Sequence, residues 1–182
     1  MPYEPPPELA GLTLPKIAEL VEARKLPPVE SWQPANEGDS QMRIAAGGTW
    51  YHDGSPITRP GMVRAFSGLL TRDEAGCHWL VTPFEKLSIE VEDAPFIAVD
   101  CARKNGDLAF RLNTDELLVA GPDNALIAKG DADRPALYVH VRRGCLARLN
   151  RSTYEQLAEI ALEDGEDWRV GSGGTQFSLL PK

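Results

Sequence analysis

Apolar residues at helical spacing predict three helices in this chain of 182 residues. The helices are expected at 14–25, at 58–70 and after Ser152, where apolar positions three and four apart form one stripe. Thr13 is placed to cap the first helix, and Ser152 and Glu155 have the spacing of a capping box at the start of the third. Each helix therefore has one face to bury.

Alternation of apolar and polar residues predicts strands along most of the remaining chain. The alternation is cleanest at 86–92. Asn105-Gly106 and the segment 121–124 are strong turn signals between neighbouring strands. The polar stretch 29–41 is expected to be a linker. The predicted strands cover residues 42–46, 49–52, 77–82, 86–92, 96–103, 108–113, 117–120, 125–129, 137–143, 167–170 and 176–180.

Two stretches of the chain have similar surroundings, which indicates an internal repeat. Ile57-Thr58-Arg59 precedes the second helix, and Leu149-Asn150-Arg151 precedes the third, 92 positions later (149 − 57). Trp79 and Trp168 follow these two helices and lie 89 positions apart (168 − 79). The pattern predicts an α+β fold with two related halves. The expected parts are an N-terminal arm and helix and two repeat subdomains, at 1–35, 36–95 and 96–182.

The charge balance of the chain is acidic, with 27 Asp and Glu against 19 Lys and Arg and a net charge of −8. Such a surface repels phosphate backbones and anionic membranes, so neither is expected as a partner. No apolar stretch approaches the roughly 18 residues that a membrane span needs. The first residues lack the basic and apolar regions of a secretory signal, so none is expected.

The cysteines and histidines are too widely spaced to predict a bridge or a metal site. Cys77, Cys101 and Cys145 are an odd number far apart, which is typical of reduced thiols and favours a cytoplasmic location. The three histidines are also separated, and no zinc-ligand spacing exists. We therefore predict no metal and no cofactor.

Several segments of the chain carry a family resemblance. The first reads Trp50-Tyr51-His52-Asp53-Gly54-Ser55-Pro56-Ile57, and the others lie at 80–86, 91–96, 138–151 and 171–174. Together they resemble the bacterial proteins grouped as domain of unknown function 1285. The resemblance implies two similar subdomains, each a curved and mostly antiparallel sheet that holds one helix. It also implies a role in signalling or small-ligand sensing, with no catalytic residues that carry over.

Two charged pairs are candidates for chemistry in the first half. His52 and Asp53 lie in a tight turn, either as an oriented pair for acid–base work and ligand contact or as ordinary turn residues. Glu85 and Lys86 follow a predicted turn, where they either meet a polar substrate or form structural ion pairs with nearby arginines. The residue types leave both alternatives open.

Arginines are the most informative departure from the acidic composition. Arg148 and Arg151 lie before the third helix, and Arg59 and Arg64 lie at the second. In a repeated fold they are expected to face a cleft between the halves and to bind an anion, or else to pair with the surplus acids. The glycine-rich segment 171–174 offers backbone donors to a phosphate, but the strand predicted after it favours a hairpin instead.

These patterns favour a small-ligand-binding or regulatory module, with an anionic ligand held between the two halves and a possible part in signal transduction. A small enzyme that uses His52 and Asp53 is an alternative, although no catalytic set is recognisable and an enzyme is less expected. A second alternative is a protein-interaction scaffold or homodimer whose N-terminal helix mediates association.

Overall fold

A computed structural model describes residues 7–131, 133–165 and 167–181. Within these ranges the chain forms three α-helices, two short 3₁₀ turns and fourteen strands in three sheets. The first six residues of the predicted arm lie outside the described residues. The chain divides into two compact units. The N-terminal unit holds Lys25–Pro95 and Arg142–Cys145, and the C-terminal unit holds the described residues up to Arg24, Phe96–Val141 and those from Leu146 onward.

The first six-stranded sheet lies in the N-terminal unit. Its strands are β1 Asn36–Ile44, β2 Trp50–His52, β3 Ser55–Pro56, β4 Leu70–Arg72, β5 His78–Val81 and β6 Glu85–Val91. Their order in space is β3-β2-β1-β6-β5-β4, with β1 and β6 parallel at the centre and the other neighbours antiparallel. Helix α2, Pro60–Ser67, connects β3 with β4, and its Phe66 ring stacks on Trp50.

The second six-stranded sheet follows in sequence. Its strands are β7 Phe96–Lys104, β8 Asp107–Leu112, β9 Leu117–Val119, β10 Leu126–Gly130, β11 Pro135–Arg142 and β12 Cys145–Leu149. Their order is β10-β11-β12-β7-β8-β9, and β7 and β12 are again a central parallel pair. If the strands of each sheet are numbered one to six in chain order, the first sheet has the spatial order 3-2-1-6-5-4. The second sheet has the same order when it is read from its β9 edge. The prediction of two similar halves is confirmed.

The number of residues predicted between equivalent positions of the two halves is wrong. The strand order equates β1 with β7, whose first residues Asn36 and Phe96 are 60 positions apart (96 − 36) and not about 90. Trp79 lies inside β5, whereas Trp168 lies in a turn outside the six-stranded sheet. The two helices were matched because both follow an apolar-polar-Arg triplet, a local likeness that says nothing about strand pairing.

Sheet curvature follows from the connection between β9 and β10. These strands are the two edges of the second sheet, and a flat sheet of six strands is about 24 Å across. Only residues 120–125 join them, and Gly121 and Asn124 exchange backbone hydrogen bonds of 3.1 and 3.2 Å in a tight turn. The second sheet must therefore curl until its edges approach each other.

Two helices cover opposite faces of the second sheet. Helix α1, Leu14–Ala23, packs on β8 and β9, and its buried Ile17 joins a cluster that includes Ala109 and the partly buried Ala102. Helix α3, Arg151–Asp164, packs on β7, and the Arg103 guanidinium donates to the Asp164 carboxylate at 2.7 and 3.0 Å. Neighbouring residues of a strand point to opposite faces of the sheet. Ala102 therefore lies on the face covered by α1, and Arg103 lies on the face covered by α3.

Some local predictions need correction. The stretch expected to be a linker contains a 3₁₀ turn, Val29–Ser31, and the first six residues of β1. The strands β3, β4 and β12 were not predicted. The third helix is capped by Asn150, which accepts the Thr153 amide at 2.9 Å, and not by Ser152. By contrast, the Thr13 cap is confirmed, and Asn105 and Gly106 both have the positive φ expected of their hairpin turn.

Candidate functional site

A groove of about 440 Å³ lies between α2 and the β1–β2–β3 edge of the first sheet. Its lining residues are Met42, His52, Ser55, Pro56, Ile57, Thr58, Arg59, Met62 and Phe66. The Ile57 amide donates to the Trp50 carbonyl at 2.8 Å, which holds the loop from β3 to α2 against β2. The volume is within the range of about 300–1,000 Å³ that is usual for small-molecule sites.

Arg59 is the N-cap residue of α2, and its side chain makes no capping hydrogen bond there. Among the described residues no ion pair or hydrogen bond engages its guanidinium. His52 ends β2, and its imidazole is 56% exposed. These are the two basic side chains of the groove, and none of the described residues that line it is Asp or Glu. The chain has eight more acidic than basic residues (27 − 19), so the absence of carboxylates from this lining favours the binding of an anionic ligand here.

The remaining wall of the groove is mostly apolar. Met42 is buried in β1, while Met62 is 41% exposed on the open side of α2. Phe66 lies one turn beyond Met62, and its ring centroid is 6.4 Å from that of the buried Trp50. Methionine side chains adapt their shape to a ligand more readily than branched ones. The groove therefore combines mostly apolar walls with two basic side chains.

His52 and Asp53, predicted as a pair, are close but face different cavities. His52 Nε2 lies 3.7 Å from Asp53 Oδ2, and both side chains are largely exposed. His52 lines the groove, whereas Asp53 lines a second cavity on the other side of the β2 end. Asp53 and Gly54 have φ of 49° and 80°, as the tight-turn interpretation requires. The arrangement places the imidazole at the groove and makes the carboxylate its neighbour.

The other predicted residues of the first half lie outside this groove. The Arg64 guanidinium folds back along α2, with Nη2 3.8 Å from the position that a Cβ on Gly61 would take. Lys86 Nζ stands over the Trp79 ring, 4.2 Å from its centroid. Glu85 opens β6 opposite Asn36. Lys86 thus has an aromatic partner, and neither Glu85 nor Lys86 faces the groove.

Arg148 and Arg151 belong to the C-terminal unit. The Arg148 guanidinium lies 5.7 Å from the centroid of the Tyr138 ring. Arg151 is 93% exposed and pairs with Glu155 one turn along α3, at 3.1 Å. The structure brings His52 and Arg59 together in one cavity, and it does not place the other six candidates there.

A second cavity, of about 650 Å³, lies over β1, β2 and β6. Its charged lining includes Asp39, Asp53 and Glu90, together with Arg43. Arg43 is already engaged, since its guanidinium pairs with Glu92 and stands over the Tyr51 ring. The excess of carboxylates makes this cavity unsuitable for an anion.

A third cavity, of about 500 Å³, is bordered by the hairpin of β13, Arg169–Ser172, and β14, Thr175–Ser178. The turn of this hairpin is the glycine-rich segment that offered backbone donors to a phosphate. Its Gly173 amide donates instead to the Asp107 carboxylate at 2.8 Å. Arg103 is held by Asp164, so two of the donors that line this cavity are already used by acids, while Arg169 also lines it.

The cysteines differ in accessibility. Burial raises the pKa of the Cys101 thiol to about 12 and that of Cys145 to about 11, whereas Cys77 is exposed. Among the described residues no cluster of three His, Cys, Asp or Glu side chains is placed to hold a metal ion. None of the described helices has the length and apolar content to cross a membrane.

Sequence reasoning found the two basic residues of the groove but not its walls. Met62 and Phe66 belong to the apolar stripe predicted for the second helix, and Met42 begins a predicted strand, so none of the three was predicted to line a site. The sequence signal was present in the i, i+4 spacing of Met62 and Phe66, which continues the face that begins at Arg59. Without the strand order, that face could not be set against β1 and β2.

Comparison with known proteins agrees with this architecture. The family models for the N-terminal and C-terminal domains of DUF1285, a domain of unknown function, match residues 27–94 and 95–179. The crystal structure of a DUF1285 family protein from Silicibacter pomeroyi DSS-3 is similar at 39% identity and a TM-score of 0.78, over 91% of this chain and 93% of that one. The chain belongs to the DUF1285 family.

A more distant structure shares the fold. The crystal structure of a DUF1285 family protein from Shewanella baltica OS155 is similar at 24% identity and a TM-score of 0.55, over 66% of this chain and 91% of that one. No curated protein matches the sequence. The family is one of unknown function, so the chemistry of the groove has to be argued from its own residues.

Proposed function

We propose that this protein is a small-ligand-binding module and that the groove beside α2 holds an anionic ligand. The observation that carries the proposal is the pairing of Arg59 and His52 on otherwise uncharged walls. A guanidinium without a protein partner keeps its donors for a ligand carboxylate or phosphate, and an apolar surround strengthens that interaction. The site is built from residues of the N-terminal unit.

The module is regulatory in this proposal. Ligand occupancy fixes α2 against the sheet, and this ordering is what a signalling partner would sense. Binding without turnover distinguishes this function from the small enzyme considered for His52 and Asp53. The exposed imidazole acts as a ligand contact, because Asp53 faces away from the groove.

A thermal-shift screen tests the proposal. The panel contains short carboxylates, fatty acids, sugar phosphates and nucleotides, each with the wild type, Arg59→Ala and Arg151→Ala. A compound at 100 times its Kd stabilises the native protein by about 2.7 kcal/mol. We expect at least one anion to stabilise the wild type and Arg151→Ala, and to lose its effect with Arg59→Ala.

Arg151→Ala is the matched control, since it removes another exposed arginine at the start of a helix. Loss of the effect in Arg151→Ala but not in Arg59→Ala would place the site elsewhere and refute the proposal. A panel without any stabilising anion would also refute it. Chemical conversion of the stabilising compound would make the protein an enzyme and contradict binding without turnover.

A further inference from the structure

We infer that the ligand is an amphipathic monocarboxylate, with its carboxylate at Arg59 and an unbranched apolar chain along α2 toward Phe66. The inference rests on the proposed function and names the ligand class for the same groove. It is carried by the order in which polar and apolar groups follow one another along that groove.

The helix sets this order. Arg59, Met62 and Phe66 are three and four positions apart, so they share one face of α2 and its cap. At 1.5 Å per residue, seven residues separate the basic end from the aromatic end by about 10 Å. The groove is thus long, with charge at one end and a phenyl ring at the other.

The facing wall adds to the apolar lining through Met42, which pairs with His52 across β1 and β2, and through Ile57, whose amide donates to the Trp50 carbonyl. Phe66 is backed by Trp50, which is buried in the sheet and stacks on it. A ligand chain that passes Met62 and reaches Phe66 exchanges water for apolar contact with each added CH₂ group.

The charge near the mouth selects a single negative charge. One guanidinium can hold a planar carboxylate through two parallel hydrogen bonds. A phosphate dianion would find one arginine where phosphate sites provide a cluster or a glycine-rich cradle.

The size of the groove separates a small molecule from a macromolecule. A cavity of about 440 Å³ suits a ligand of small-molecule size. A protein partner needs an interface of roughly 800 Å² from each side, far beyond two turns of one helix. The occupant is therefore a small molecule and not a folded protein.

Isothermal titration calorimetry of the full chain tests this inference, with octanoate as the main probe. Its extended chain is about as long as the two-turn face of α2. Acetate supplies the carboxylate alone, octanol supplies the chain alone, and octyl phosphate supplies the chain with a dianionic head. We expect octanoate to bind at least tenfold more tightly than each of the three.

Variants assign the two ends of the ligand. Arg59→Ala should weaken octanoate at least tenfold and leave octanol unchanged, because only the head is affected. Met62→Asn should weaken octanoate and hexanoate alike and leave acetate unchanged, because both apolar chains pass Met62 and acetate does not reach it. Arg151→Ala should change neither. Unchanged thermal midpoints of the unliganded variants show that they fold, and Arg59→Lys, which keeps the charge without the fork, should bind between the wild type and Arg59→Ala.

The outcomes distinguish the inferred ligand class, a monocarboxylate, from the proposed function, which is the binding of an anionic ligand in the groove. Octanol or acetate binding as tightly as octanoate would overturn the inference, as would octanoate binding that ignores Arg59→Ala. If a sugar phosphate or nucleotide binds through Arg59 while octanoate does not bind, the ligand class is wrong and the anion-binding function stands. If neither octanoate nor any anion of the thermal-shift panel binds, both fall.

Discussion

The two six-stranded sheets have one strand order but join their third and fourth strands differently. In the second sheet the tight turn at 120–125 connects β9 and β10. In the first sheet the equivalent connection, at 57–69, contains α2. A helix is therefore inserted where the repeat otherwise has a turn, and the groove lies along the inserted helix. The part of the repeat that diverged is the part with room for a ligand.

Burial follows the same division. Of the twelve largest fully buried side chains among the described residues, nine belong to the C-terminal unit and three, Trp50, Ile44 and Leu70, to the N-terminal unit. The second sheet is covered by α1 on one face and α3 on the other, and it has the role of a stable core. The first sheet has less buried volume and keeps an accessible groove. In the proposed function, the ligand site therefore lies in one copy of the topology, while the other copy holds most of the large buried side chains.

The largest effect expected from this comparison is at Phe110. This ring is fully buried in β8, so Phe110→Ala should cost about 3–5 kcal/mol of unfolding free energy. Phe66→Ala removes a ring of the same size from the groove wall, where it is only half-buried, and should cost less than half as much. Urea denaturation combined with amide hydrogen exchange measures both changes. Equal losses would mean that the two sheets do not differ in the way described.

A smaller effect is expected at Arg143, a polar support of the N-terminal unit. Its side chain is 9% exposed and donates to the Glu30 carboxylate, to the Gly68 carbonyl at 2.8 Å and to the Pro27 carbonyl at 2.9 Å. Arg143→Ala leaves these acceptors unpaired and should destabilise the protein by about 2–3 kcal/mol in urea denaturation. Arg143→Lys keeps the charge but has fewer hydrogen-bond donors, so its unfolding free energy should lie between those of the wild type and Arg143→Ala. A loss below that of an exposed arginine such as Arg151 would contradict this role.

The pH dependence of the Arg143→Ala effect follows from Glu30. The hydrogen bond from Arg143 holds the pKa of the Glu30 carboxyl below its usual value. A pKa that is lower in the folded state gives stability that is present above the unfolded pKa and is lost as pH falls through the folded one. The difference between wild type and Arg143→Ala should therefore shrink on acidification. If the difference does not depend on pH, Glu30 contributes nothing to the stabilisation by Arg143. The stabilisation would then come from the Gly68 and Pro27 carbonyls alone.

The smallest effect compares the starts of two helices. Asn150 caps α3 through the Thr153 amide, so Asn150→Ala should cost about 1 kcal/mol. Arg59 occupies the same position at α2 without a capping bond, so Arg59→Ala should leave thermal stability unchanged. Differential scanning calorimetry of both variants without added ligand measures this. Destabilisation by Arg59→Ala would show that its side chain supports the fold and is not reserved for a ligand.

Local features of the fold could be predicted because their causes are local. Asn105 and Gly106 sit in a turn that needs positive φ at both positions, and Thr13 caps a helix three residues from its partner amide. The central parallel pairs could not be predicted, because their partners are remote in sequence and no short-range pattern encodes them. β1 was missed in part because its first residues, 36–41, are mostly exposed and polar and resemble a linker.

The candidate site was predictable to a similar extent. Arg59 and His52 stand out by side-chain chemistry alone, and both line the groove. Arg148 and Arg151 were grouped with them on the strength of a repeat whose predicted spacing was wrong. The walls depend on which helix face meets which strand and on how much space remains, and these are results of packing in three dimensions.

The central parallel pairs also have a consequence for how the chain assembles. Asn36 pairs with Glu85 and Phe96 with Ala147, separations of 49 (85 − 36) and 51 (147 − 96) residues. The central pair of each sheet therefore forms only when the last strand of the half meets the first. Bringing these two strands together costs the conformational entropy of closing a loop of about 50 residues. Such non-local contacts slow folding. During synthesis β1 leaves the ribosome long before β6, so the first half must wait with its central strand unpaired on one side.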